Sequence, residues 1–288
     1  MNPLDLVRLT ALMQHTSGQP EIKIGLLDGP VVINHPDLAG ETIQEIPGHL
    51  RGTCAQASSA ACMHGTFVAG ILSAKRGTPA PAICPGCTLL VRPVFSESTL
   101  LNGQLPSATP TELASAILEG IEAGARVLNL SVALAQPSAT GQRELEEALN
   151  HAAMRGVITV AAAGNQATVG SSIITRHPWV IPVVACDHQG RPMTLSNLGR
   201  SIGRGGLSAP GDRITSLGTA GKPITSSGTS IAAPYVTGAV ALLWSEFPDA
   251  KAAEVKFALT QTHASPRRAV VPPLMDAWGA YQAMMKRT

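Results

Sequence analysis

Apolar residues along the chain fall into two alternating patterns. Ile22 to Leu27, Thr88 to Val94, Val127 to Val132, Val157 to Ala162 and Val180 to Val184 are short, nearly continuous apolar runs. Runs of that length bounded by turn residues read as strands buried on both faces. Between them lie stretches with helical character: Thr66 to Ala74, beginning near His64, Thr111 to Ala123 with Thr109 or Thr111 as caps, and Glu144 to Arg155 ended by Gly156. Repeated strand, helix, strand units predict a parallel sheet with helices on both faces. Ahead of the first strand, Leu4, Leu6, Val7, Leu9, Leu12 and Met13 form a rough helical stripe that stops at Thr16 to Pro20, which predicts a short N-terminal helix. Beyond Val184 the pattern shortens and fills with glycine, predicting hairpins and loops up to a long helix from about Thr229 to Phe247. Helices over Ala250 to Thr260 and Met275 to Met285 close the chain. No repeat, low-complexity tract or charged linker divides it, so one domain over residues 1–288, with 1–20 as an N-terminal helical extension, is expected.

Composition narrows this picture. Hydrophobic residues make up 44% and charged residues 14%, too apolar for intrinsic disorder. Aromatics contribute only 3%, so Ala, Val, Ile and Leu must do most of the packing. A net charge of +2 offers no field that would favour nucleic acid or anionic lipid as the main partner. The longest apolar runs, such as Ile231 to Trp244, are broken by Pro and Gly, and no membrane span is expected. The first residues contain Asp5 and Arg8 and lack the order of a secretory signal, so a cytoplasmic location is expected. Of five cysteines, Cys84 and Cys87 have C-x-x-C spacing, which fits structural thiols, a local disulfide, a redox-sensitive clip or a metal site. Zinc would need two further ligands, and Cys54 and Cys62 are too widely spaced to supply a second close pair.

Four positions suggest acyl transfer, which needs a nucleophile, a base, an acid to orient the base and donors for the oxyanion. Asp28 ends an apolar strand, where its carboxylate can be buried against an imidazole; alone, it would read as a turn cap. His64 opens the small-residue block His64-Gly65-Thr66-Phe67-Val68-Ala69-Gly70. Ser230, in Gly228-Thr229-Ser230-Ile231-Ala232-Ala233-Pro234, stands at a helix N-terminus, where backbone N–H groups favour developing negative charge; alone, it would read as an N-cap. Gly164-Asn165, by itself a turn signal, follows the run Ala161-Ala162-Ala163.

Taken together, the Asp, His and Ser blocks in that order resemble the subtilisin family of serine peptidases. Gly25 to Asp28 with His35-Pro36-Asp37-Leu38 resembles the first family motif, the His64 block the second and the Ser230 block the third, including its proline within the helix. The resemblance implies a three-layer subtilisin-like α/β fold with a central, mostly parallel sheet, and a triad of Asp28, His64 and Ser230. It also implies Asn165 as side-chain donor to the oxyanion. Asn129-Leu130-Ser131-Val132-Ala133 looks like the family's strand for binding an extended peptide by β-augmentation, with Ser131, Val132 and Ala133 in contact and Thr229 beside them. Ala163, Gly164 and the segment Thr175 to Trp179 would wall the same pocket.

Some residues depart from the family pattern. Gly29 and Pro30 follow Asp28 where Ser or Thr and then Gly are usual, which removes a supporting hydroxyl, and Phe67 replaces a common histidine. Asp37 matches a calcium ligand, yet Lys75 to Cys87 lacks the asparagine-bearing loop that completes that site, so no metal and no cofactor are expected. Asp28-Gly29-Pro30, the Cys84 to Cys87 segment and Pro178-Trp179-Val180-Ile181-Pro182 most resemble the cyanobactin maturation proteases, which cut leader or follower segments from ribosomally made precursors. Macrocyclising members carry a helical lid between the Asp and His blocks; the 35 residues separating Asp28 from His64 leave no room for one. Hydrolysis of a precursor peptide is therefore the expected reaction. Transpeptidation by the same triad and a peptide-binding module with a decayed site are the alternatives.

Overall fold

The computed structural model describes residues 2–97, 108–131, 141–261 and 269–286. A seven-stranded sheet runs through its centre, built from β1 (Lys23–Asp28), β2 (Ile43–Glu45), β3 (Thr88–Pro93), β4 (Val127–Leu130), β5 (Ile158–Ala162), β6 (Val180–Cys186) and β7 (Leu207–Pro210). Its spatial order is β2-β3-β1-β4-β5-β6-β7, and every ladder is parallel. Period-two alternation divides each strand between two cores. On β1, Ile24 and Leu26 join one apolar cluster, while Leu27 joins the other.

Helices cover both faces, as the strand and helix repeats predict. On one side lie α3 (Ala60–Ser73) and α8 (Thr229–Glu246), whose Thr229 to Ser245 are all buried. On the other lie α4 (Pro110–Glu122) and α5 (Gln142–Met154). The start of α4 follows from its chemistry: Thr109 accepts from the Glu112 N–H, Glu112 reaches back to the Thr109 N–H, and Pro110 occupies the first turn. α5 stops where Gly156 takes a φ of +67°, a left-handed conformation suited to glycine. Two helices, α9 (Ala252–Thr260) and α10 (Ala277–Met285), finish the chain.

Two local expectations are corrected and a third is extended. The N-terminal stripe forms two helices, α1 (Pro3–Leu6) and α2 (Leu9–His15), because Arg8 takes a φ of +54° and breaks the run. α3 begins before His64, since Ser59 accepts from the Cys62 N–H and caps the helix at Ala60; His64 therefore sits in its second turn. The glycine-rich stretch after β6 holds the expected hairpin and loops together with further elements. It contains α7 (Arg200–Gly205), the sheet strand β7 and a separate antiparallel hairpin of β8 (Ile214–Ser216) and β9 (Ile224–Ser226). The four-residue α6 (Ile173–Arg176) is too short to leave a periodic signal. No helix among the described residues is long and apolar enough to cross a membrane.

Candidate active site

From β1 the chain moves to one side of the sheet for β2 and β3, then crosses to the other for β4. Ligand crevices of open α/β sheets form at such reversals, outside the strand carboxyl ends. Asp28 is the last residue of β1, Ser131 follows β4, and Ala163, Gly164 and Asn165 follow β5, so three adjacent strands deliver their next residues to one edge. Two glycines bring α3 to the same place. A Cβ on Gly29 would lie 1.9 Å from the Ala61 carbonyl oxygen, and one on Gly65 would lie 2.4 Å from the carbonyl oxygens of both Gly29 and Pro30. The Gly29 position that departs from the family pattern thus has a steric cause: a seryl or threonyl side chain has no space there.

This close approach aligns three side chains. His64 Nδ1 lies 2.6 Å from Asp28 Oδ1, and His64 Nε2 lies 2.9 Å from Ser230 Oγ. Asp28 is wholly buried; its Oδ1 also accepts from the Gly29 N–H, while Oδ2 has no hydrogen-bond partner among the described residues. Only 10% of the His64 side chain is exposed. Burial, the largest influence, pushes the imidazole pKa down, but the charge and hydrogen bond of Asp28 together outweigh it and hold the pKa above the ordinary histidine value. Ser230 is the second residue of α8, among the backbone N–H groups left free at a helix start. Ahead of it, Gly228 has a φ of +148°, where a side chain is strained.

Thr229 holds Asn165 and Gly164 in place. Its N–H and its hydroxyl each lie 2.9 Å from Asn165 Oδ1, and its Oγ1 accepts from the Gly164 N–H at 3.2 Å. With Asn165 Oδ1 engaged as an acceptor, the Nδ2 group is left as a donor beside Gly228. Gly164, with a φ of +105°, makes the turn that lets β5 end this way. A buried hydroxyl at a helix start thus meets an imidazole, and a side-chain amide is held against the residue next to that hydroxyl. That set can abstract a proton from an alcohol and meet negative charge on a neighbouring oxygen.

The other expected site residues sit as follows. Ala163 is buried and its N–H donates to the Val183 carbonyl, within the sheet edge. Ser131 is buried with its hydroxyl turned inward to Asn129 and Ser230. Val132 and Ala133 lie outside the described residues. Thr175 is buried within α6, where it forms a reciprocal cap with Ser172.

Sequence reasoning missed a crosslink beside the histidine. Cys54 and Cys62 form a disulfide, and the Glu97 carboxylate accepts from the Ala55 and Gln56 N–H groups in the loop that carries Cys54. The eight-residue separation of these cysteines was its only sequence trace. Cys84 and Cys87 are buried, unpaired thiols. The one cluster of metal-ligand type among the described residues is Cys54, Cys62 and Glu97, and its sulfurs are committed to each other. The residues around Asp37 do not fit a calcium ion, because the Lys75 ammonium donates to the neighbouring Pro36 carbonyl and places a positive charge there.

Comparison with known proteins bears on the whole arrangement. The profile described as the subtilase family matches residues 19–277. A thermophilic serine proteinase of Bacillus sp. (strain AK1) is 32% identical over 80% of this chain and 54% of its own length. The chain spans about half the length of the curated relatives it matches first. Among solved structures, a mutant form of the protease domain of PatA superposes with a TM-score of 0.82 at 30% identity, covering 94% of this chain and 98% of that one. The prenylagaramide maturation protease PagA superposes with a TM-score of 0.81 at 29% identity, covering 95% and 98%.

Proposed function

This chain belongs to the subtilase family, and from that premise we propose that it is a serine endopeptidase that hydrolyses peptide bonds through an acyl-enzyme. The observation that carries the reading is the continuous line from Asp28 Oδ1 through both His64 nitrogens to Ser230 Oγ, with Asn165 beside it. His64 Nε2 takes the Ser230 proton as Oγ attacks the substrate carbonyl. The Ser230 N–H and Asn165 Nδ2 receive the oxyanion. His64 then gives its proton to the leaving amine, and water, deprotonated by the same nitrogen, releases the acid. Asp28 holds Nδ1 protonated, so that Nε2 is the free base. The main chain after β4 and the segment from Ala163 to Asn165 offer an extended peptide its backbone partners, with Thr229 supporting Asn165 from below.

A peptide precursor is the proposed substrate, supported by the likeness to PagA, whose description is that of a maturation protease. Hydrolysis is favoured over ring closure because the chain between Asp28 and α3 contains only turns and β2, with no helix to shield an acyl-enzyme from water. A fluorophosphonate probe is expected to label Ser230, and a peptide mixture to yield linear products ending in a free carboxylate. Cyclic or ligated products identified by mass spectrometry would make transpeptidation the correct reading. An unlabelled Ser230 in folded protein would leave only the binding module.

A further inference from the structure

α8 contains a proline at position 234, four residues after Ser230. In an α-helix the carbonyl of Ser230 accepts from the N–H of residue 234, and proline has none. That carbonyl instead accepts from the Ser131 hydroxyl at 3.2 Å, across from the end of β4. The hydroxyl is itself held: Asn129 Nδ2 donates to Ser131 Oγ at 2.6 Å, and Thr237 Oγ1 donates to Asn129 Oδ1 at 2.8 Å. Asn129 and Thr237 are wholly buried, and Ser131 is 4% exposed. Buried hydroxyls and amides tend to be satisfied, and here every bond points the same way, from Thr237 through Asn129 and Ser131 to the carbonyl.

Building on the reading of Ser230 as nucleophile, we propose that Ser131 is a positioning residue whose hydroxyl replaces the helix bond that Pro234 cannot make, with Asn129 and Thr237 fixing its orientation. Without Pro234, the helix would hold the Ser230 carbonyl by its own ladder. With it, the main chain at the nucleophile is tied to the strand that lines the substrate, so Oγ and the oxyanion-binding N–H keep a fixed relation to the bound peptide. The buried asparagine inside the apolar run Val127–Leu130 is the sequence trace of this device.

Ser131→Ala removes the tie, and Ser131→Ala/Pro234→Ala restores an N–H to the same carbonyl. The expected result is a roughly ten-fold fall in kcat for the single variant with KM little changed, recovered most of the way in the double variant. A packing role would not be rescued by an N–H at position 234. Unchanged kcat in Ser131→Ala, or a double variant as slow as the single, overturns the proposal. If Ser131→Ala fails to fold, the near-isosteric Thr237→Val reads the far end of the chain: a smaller fall in kcat is expected, and wild-type kcat overturns the proposal. Thermal unfolding separates this from the reading of Ser230. Pro234→Ala should restore more stability in the Ser131→Ala background than it changes in wild type, whether or not the protein is active. Such coupling in a protein that cleaves no peptide would refute the assignment of Ser230 as nucleophile, and with it the positioning role, while leaving the bond intact.

Discussion

Asp28 is held by the histidine and by one backbone amide, its second oxygen has no hydrogen-bond partner among the described residues, and position 29 carries no hydroxyl. Supplying the absent hydroxyl by Gly29→Ser should therefore harm the protein, because the new Cβ would meet the Ala61 carbonyl at 1.9 Å and α3 would have to retreat. A loss of about 1–3 kcal/mol is expected from overpacking of this kind, read as a lower Tm, with kcat falling as His64 moves from Asp28. The charge of Asp28 also sets the pH response. Since His64 is held above its ordinary pKa and acts only when neutral, the acid limb of kcat/KM should lie above the ordinary histidine pKa. Asp28→Asn should move that limb to lower pH, because the opposing influence of burial then acts alone, and should lower kcat by about 10⁴-fold. Stability runs in the opposite direction. The native state binds the imidazolium more tightly than the unfolded chain does, so this contribution is complete below the unfolded-state pKa and is lost as pH rises through the native one.

Elements place these residues, and the Cys54–Cys62 disulfide ties the loop before α3 to its first turn, two residues from His64. Closing a loop this short is worth about 2–3 kcal/mol in the chain-entropy account, so Cys54→Ser/Cys62→Ser should lower Tm measurably. With three free cysteines among five, titration of unreduced, denatured protein should find three thiols; five would contradict the crosslink. At this scale the chain was only partly legible. The five longer strands and the helices behind them announced themselves because they are buried and periodic. α6 and β7 did not: four residues cannot display a helical period, and Leu207–Pro210 carries Ser208 and Pro210 where the other buried strands have a nearly continuous apolar run. The site followed the same division. Asp28, His64, Asn165 and Ser230 stand within recognisable blocks, whereas the inward turn of Ser131 depends on how β4 meets α8, and the bond from Thr229 to Asn165 on how β5 meets the helix start.

For the molecule as a whole, the order of the sheet explains how the proposed catalytic residues come together. β1, β4 and β5 lie side by side with all their carboxyl ends on one edge, and α3 and α8 meet that edge from the same face. Residues separated by 36 and 166 positions thereby come into hydrogen-bonding contact on one rigid frame. Such preorganisation is what serine catalysis requires, because the donors must already face the place where charge will develop. In the proposed mechanism Ser230→Ala removes the nucleophile and little else, and losing it should cost about 10⁶-fold in kcat. The most direct measurement is peptide cleavage by the wild-type chain and by this variant, followed by mass spectrometry, with a fluorophosphonate probe in parallel. The expected result is linear cleavage products and a single labelled site at Ser230, both lost in the variant. Cleavage that persists undiminished in Ser230→Ala, or a label carried by another residue, would contradict the account.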